Sequence, residues 1–206
     1  MSIASGYGSP LTVSAVTNAS PAACTSTAHG LTNGDFVEFT SGWSKATNRV
    51  FRVSGSTTNA FNLEGLDTTL TSIFPAGAGA GSVRKITGWT QLQQILTTAS
   101  EGGTQNFATY QFLEADNEVR IPTNKAAAGL NIEVADDPSL AGYILASTAN
   151  DDRLQRAVKA VLSNASILLY SGYISVVKTP SMNVNEPMKV QVTVSFLNAE
   201  PVRYAS

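Results

Sequence analysis

The segment Met188-Lys-Val-Gln-Val-Thr-Val-Ser-Phe196 alternates apolar and polar residues without a fault. In an extended strand Met188, Val190, Val192, Val194 and Phe196 share a core face, while Lys189, Gln191, Thr193 and Ser195 face away. Ile167-Leu-Leu-Tyr-Ser-Gly-Tyr-Ile-Ser-Val-Val177 is as rich in β-formers, with Gly172 allowing a bend or bulge. Shorter strands are predicted over 11–16, over 35–39 after the Asn33-Gly34 turn, and over 50–53 and 60–63. Further strands are predicted over 83–87, 108–113 and 130–134. One segment changes period. Leu154, Ala157, Val158, Val161 and Leu162 fall at helical spacing, with Asp151 and Asp152 ahead of them as capping carboxylates. That spacing predicts one helix over about 150–163, packed through Leu154, Val158, Val161 and Leu162.

Pro75-Ala-Gly-Ala-Gly-Ala-Gly-Ser82 interrupts the strands. Its glycines recur every second residue and precede a strand, so they lack the G-x-G-x-x-G spacing of a dinucleotide site and read as a flexible turn or linker. The expected organisation is an amino-terminal arm over 1–10, a small β-barrel module over 11–82 and a larger unit over 83–206. The expected fold class is mainly β: a β-sandwich or half-barrel with one flanking helix, plus the small barrel.

Charge narrows the function. Charged residues are only 14% of the 206, with a net charge of −2, so no basic excess is available to grip nucleic acid. The first 86 residues carry five basic and four acidic side chains, and the remainder eight and eleven. No apolar run is long enough to span a bilayer. Met1 to Pro10 lacks the pattern of a signal peptide, so the expectation is a soluble protein that folds inside a cell.

Candidate chemistry is sparse. Cys24 and His29 are the only cysteine and the only histidine, which excludes an intrachain disulfide and a Cys/His zinc cluster. His29 reads as a turn histidine. The doublets Asp136-Asp137 and Asp151-Asp152 read as turn and cap residues, because adjacent side chains diverge, which works against a shared proton. Trp43 and Trp89 are expected to pack each in its own unit. The expectation is a protein that is not an enzyme and holds no cofactor or metal.

The order of pieces over the carboxyl-terminal 120 residues resembles the tail tube (major tail) proteins of long-tailed bacteriophages. The carrying segments are Ile86-Thr-Gly-Trp89-Thr-Gln-Leu, a hairpin region around 107–134, a short helix, the Gly172 strand and the closing Lys189-Val-Gln-Val-Thr-Val-Ser-Phe-Leu-Asn-Ala199. Thr27-Ala-His-Gly-Leu-Thr-Asn-Gly-Asp-Phe-Val37 with Asn59-Ala-Phe-Asn-Leu63 is similar to a small β-barrel module that recurs in phage tail proteins. The resemblance implies a virion subunit, assembled in the host cytoplasm, that forms hexameric rings. The rings stack with other tail proteins into a tube through which DNA passes without specific binding, and no membrane is involved. Acids lining such a channel would repel DNA and keep it mobile, and Glu114, Asp116, Glu118, Glu133, Asp136 and Asp137 are the candidates. Spaced by two, Glu114, Asp116 and Glu118 would share one face of an extended strand, opposite Ala115 and Asn117. The rival readings are a terminator or adaptor ring, a receptor-binding or adhesion module, and a carbohydrate-active enzyme using two separated carboxylates.

Overall fold

The structure, a computed structural model, describes residues 1–114, 116–182, 186–198 and 201–205. Ala115 and Ala199, which figure in the sequence reading, lie outside the described residues. The first strands are β1 (Ser2–Tyr7), β2 (Leu11–Val13), β3 (Ala15–Val16), β4 (Ala22–Thr25), β5 (Phe36–Ser41), β6 (Arg49–Ser54), β7 (Ala60–Leu63) and β8 (Gly81–Gln91). Then come β9 (Ile95–Gly102), β10 (Gln105–Tyr110), β11 (Val119–Lys125) and β12 (Ala128–Ala135). The helix α1 (Ala141–Asp152) precedes β13 (Arg156–Val161), β14 (Ile167–Ser181), β15 (Lys189–Phe196) and β16 (Val202–Tyr204). The fold is mainly β with one helix, as the alternation predicts.

Fourteen strands form one curled sheet, ordered β3-β4-β7-β6-β5-β8-β1-β13-β14-β15-β12-β9, with β2 added to β8 and β16 to β14. A separate two-stranded sheet is the β10–β11 hairpin. The long strand β8 makes the sheet continuous. Its first half pairs with β5 and β2, and its second half pairs with β1 from Tyr7↔Ile86 to Ser2↔Gln91. Residues 1–10, expected as an arm, therefore supply an interior strand between β8 and β13.

Both faces of that middle region are covered, and this produces two cores. One holds Trp43, Phe39, Phe51, Phe61 and Leu63 of the barrel together with Ala4, Ala157, Leu169, Val202 and Tyr204. The other holds Ile3, Val158, Ile132, Ile174 and the Val190, Val192 and Val194 stripe under α1. Because alternate side chains on a strand point opposite ways, β1 and β13 each contribute one neighbour to either core. Barrel and larger unit thus share strands across residue 82.

The expected helix is displaced. The chain is helical over Ala141–Asp152 and ends where Arg153 takes a left-handed conformation, its N–H bonding the Ala149 carbonyl. Residues 156–161 are strand β13. The pattern that mimicked a helix arises because Ala157 and Val158 are both buried, on opposite sides of a two-faced sheet, while Leu154, Val161 and Leu162 are exposed. Asp151 and Asp152 sit at the carboxyl end of α1, where the helix dipole disfavours them. Lys178 holds Asp151 at 2.8 Å, and Asp152 accepts from the Leu154 amide and pairs with Arg156. The real helix escapes a hydrophobic pattern because its buried face is Gly142, Ala146 and Ala149. A Cβ on Gly142 would lie 2.4 Å from the Gln91 carbonyl oxygen, so the helix needs glycine to seat on β8.

Three smaller expectations are also corrected. Gly172 makes no bulge: the β14–β15 register runs unbroken from Gly172 to Val177, and a Cβ there would meet the Ser195 carbonyl at 2.3 Å. Met188 is exposed and precedes β15. The 75–80 turn is no loose linker, since Trp43 Nε1 donates to the Pro75 carbonyl at 2.8 Å and its ring meets Phe74 edge-on.

Candidate functional site: a polar sheet face and an apolar hairpin

Strands β9, β12, β15 and β14 lie side by side, and the residues that do not enter the core form an outward face. In register, Ala99, Asn131, Thr193 and Ser175 make one row across these strands, and Thr97, Glu133, Gln191 and Val177 make the next. Hydroxyl and amide side chains dominate and bond one another. Thr193 Oγ1 donates to Asn131 Oδ1 at 2.8 Å, and Asn131 Nδ2 in turn donates to the Glu101 carboxylate. Glu133 accepts from Lys189 Nζ at 3.0 Å and from Thr97 Oγ1 at 3.3 Å. The Lys189 ammonium holds the Glu133 carboxyl below its ordinary range. One row further on, opposite Ala135 and Ser181, Lys189 is the only cation at the outward positions of these strands among the described residues, and it is paired. β9 is the last strand of the sheet and pairs only with β12 among the described residues, so one row of its backbone N–H and C=O groups faces outward.

The second feature is the hairpin. Tyr110 stands opposite Val119 and Ala108 opposite Ile121, so these four share a face, and Phe112 meets Tyr110 edge-on at 5.1 Å. Tyr110, Phe112, Val119 and Ile121 are all exposed. An isolated two-stranded hairpin is marginal in water, and an exposed apolar face of this kind marks a contact surface.

The structure distributes the six predicted acids among three places. Glu114, Asp116 and Glu118 occupy the turn between β10 and β11 and not an extended strand, so the shared-face geometry expected of them does not form. Glu133 lies on the polar sheet face. Asp136 and Asp137 lie in the loop before α1, where Asp136 accepts from the Tyr143 hydroxyl and Asp137 from Ser139 Oγ at 2.6 Å. Ser139 holds the Asp137 carboxyl low. Sequence reasoning did not place Glu101 on the polar face. Its period-two spacing with Thr97 and Ala99 could have done so, but after Ile95 and Leu96 the strand β9 has no apolar–polar alternation to make it conspicuous.

Groups that could begin an enzyme site serve the fold. His29 is buried, with Nδ1 accepting from the Leu31 amide at 3.0 Å, Nε2 facing the Ala60 carbonyl at 3.4 Å, and its ring edge-on to Phe61. Burial pushes the Cys24 thiol up to about 12, far from a reactive thiolate. Trp89 does not stay within its own unit: it meets Phe36 of the barrel edge-on, and the Lys159 ammonium lies 4.6 Å from its ring centroid. Two residues along β5 from Phe36, the buried Glu38 accepts from Arg84 at 3.0 Å and from Gln155 at 2.6 Å.

A continuous antiparallel sheet with an open edge, an apolar hairpin and a self-bonded polar face defines a structural β-protein built to associate. The chain belongs to the phage tail tube protein family, whose profile matches residues 41–206. The match begins at the last residue of β5 and so includes the second half of the barrel. No curated protein matches the chain. Family membership makes it a virion component, a structural subunit of a tail tube that assembles with itself and with other tail proteins, and argues against an enzyme. Among the described residues, no helix is long and apolar enough to cross a membrane.

Proposed function

We propose that the chain forms hexameric rings, that the rings stack into the tail tube, and that DNA is ejected through the bore past the outward face of β9, β12, β15 and β14. The observation carrying this reading is that face. It bears Glu101 and Glu133, which accept from Asn131 and Thr97, the Thr193–Asn131 bond beside them, and among the described residues no cation besides the paired Lys189. A phosphate backbone is held by basic groups through counterion release, so a surface with two carboxylates and one paired cation repels DNA weakly and does not hold it. The open edge of β9 supports the ring, because it offers backbone pairing to a neighbouring copy. Assembly takes place in the host cytoplasm and involves no membrane.

Electron microscopy of the purified protein tests the reading directly. Tubes of constant diameter are expected. Single rings would instead indicate a terminator or adaptor, and dispersed monomers at high concentration would reject self-assembly. A Glu101→Lys/Glu133→Lys tube should still assemble but retard DNA, with the delay shrinking as salt rises, because the Debye length falls to about 3 Å at 1 M. Wild-type passage in that variant at low salt would remove this face from the path.

A further inference from the structure

Strand β14 runs for fifteen residues, and its two edges are filled unequally. One edge meets β16 at 167–169 and β15 from Gly172 onward, while the other meets β13 only as far as Gly172. The Leu162 amide bonds the Ser166 carbonyl and the Leu197 amide the Ser171 carbonyl, which turns the backbone groups of even-numbered residues toward the β13 side and of odd ones toward β15. Past Gly172 the β13 side therefore carries the N–H and C=O groups of Ile174 and Val176, and no strand pairs with them among the described residues. The register with β15 then slips between Val177 and Ser181, at Lys178 and Pro180. What stands at this edge is the carboxyl end of α1. Asn150 Oδ1 accepts from the Val176 amide at 3.1 Å, and Asp151 holds Lys178 Nζ at 2.8 Å through both carboxylate oxygens.

Lysine, proline and a break in register are what natural sheets place on edges to discourage pairing, and Asn150 adds to them by imitating a partner's carbonyl. Strand β9, at the other end of the run β14-β15-β12-β9, carries neither lysine nor proline. One edge is guarded and its complement is bare. Successive strands of the run are antiparallel, so β9 points opposite to β14, and the β9 of a second copy laid along 174–177 continues the alternation. Resting on the self-assembly reading above, we propose that Asn150 is a latch on the β14 edge. In the free subunit its side-chain carbonyl satisfies the Val176 amide, and it lets go when the β9 strand of an incoming copy supplies a backbone carbonyl in its place. One neutral side-chain bond yields to a row of backbone bonds, so the latch delays pairing without forbidding it. Release needs only a rotation of the Asn150 side chain, because α1 stays seated through Gly142, Ala146 and Ala149.

The test has two arms. In the first, Val176 amide exchange and the lag before tube growth are read in wild type, Asn150→Ala and Asn150→Asp, the last keeping an oxygen acceptor in place. In dilute free subunits the Val176 amide should exchange at least tenfold faster in Asn150→Ala than in the other two. In tubes it should be equally protected in all three, because a neighbour's strand has replaced the side chain. The lag of Asn150→Ala should be at least tenfold shorter than that of wild type, and the lag of Asn150→Asp no shorter. Were Asn150→Ala to lose the wild-type circular dichroism, Asn150→Ser, whose hydroxyl is too short to reach the amide, takes its place. Asn150→Ala tubes in which Val176 still exchanges fast would make Asn150 a permanent cap and overturn the inference, as would an unchanged lag or equal acceleration by Asn150→Asp. The second arm needs no tubes. A synthetic peptide of the β9 sequence, Ile95–Gly102, should bind free Asn150→Ala subunits at least tenfold more tightly than wild type and protect the Val176 amide. Equal binding to both, or binding to neither, would overturn the latch, whereas absence of wild-type tubes would by itself defeat only the tube reading.

Discussion

Ala157 and Val158 are consecutive and both fully buried, yet they belong to different hydrophobic cores. Ala157 faces the barrel core and Val158 the core beneath α1, because β13 has a covered surface on each side. The two cores therefore cannot melt independently of this strand. Val158→Ala should cost about 1.5–3 kcal/mol, for two buried methyl groups and the cavity they leave. Ala157→Leu should cost about 1–3 kcal/mol by overpacking the other side. Both should lower one common transition, followed by near-ultraviolet circular dichroism and by backbone signal alike. Two separated transitions would show the cores to be independent.

Leu154 and Leu162 lie outside both cores. Leu154→Ala and Leu162→Ala should each change stability by no more than about 0.5 kcal/mol in urea denaturation, as surface substitutions do. The helical spacing in the sequence predicts a loss several times larger.

Tyr204 ties the end of the chain to the barrel. Its hydroxyl donates to the Glu64 carbonyl at 2.9 Å and accepts from the Arg52 amide at 2.8 Å. Burial pushes that phenol up to about 12, so it is a neutral donor at any working pH. Tyr204→Phe strands two backbone groups and should cost about 1–3 kcal/mol. Amide hydrogen exchange should rise first at Arg52, and unchanged protection there would show that the bond contributes nothing.

Burial raises the Glu38 carboxyl above its usual 4.5, against the opposing pull of Arg84. The folded protein then binds a proton more readily than the unfolded chain between 4.5 and the raised value, and stability from this group falls as pH rises through that window. Lowered carboxyls such as Glu133 and Asp151 have the opposite slope, so the signal is the difference between wild type and Glu38→Gln. Wild type should gain on the variant as pH drops toward 4.5. A difference independent of pH would mean that Glu38 titrates normally.

Strands that cover one core were legible in the sequence. Lys189–Phe196 and Leu130–Val134 alternate cleanly because Val190, Val192, Val194, Ile132 and Val134 meet the core while their neighbours meet water. Legibility failed where that asymmetry is missing. β13 is covered on both faces and so lost its period of two. α1 buries only Gly142, Ala146 and Ala149, which no apolar count detects. β9, β10 and β11 are largely exposed on both faces as a single chain, so their pattern answers to partners and not to this subunit's own core. Glu133 was found as a candidate acid because strand β12 was visible. Glu101 was not placed because β9 was invisible.

The position of β1 has a kinetic consequence. Ser2 and Ile3 pair with Thr90 and Gln91 on one side and with Val158 and Lys159 on the other. A chain made from its amino end can pair β1 with β8 early but holds the other edge of β1 open until Val158 and Lys159 exist, and closing such distant contacts is slow. Neither core can be completed early, since the barrel core also takes Ala157, Leu169, Val202 and Tyr204. A nascent copy on the ribosome thus lacks the surfaces on which others would polymerise, and growth of the assembly waits for finished, released chains.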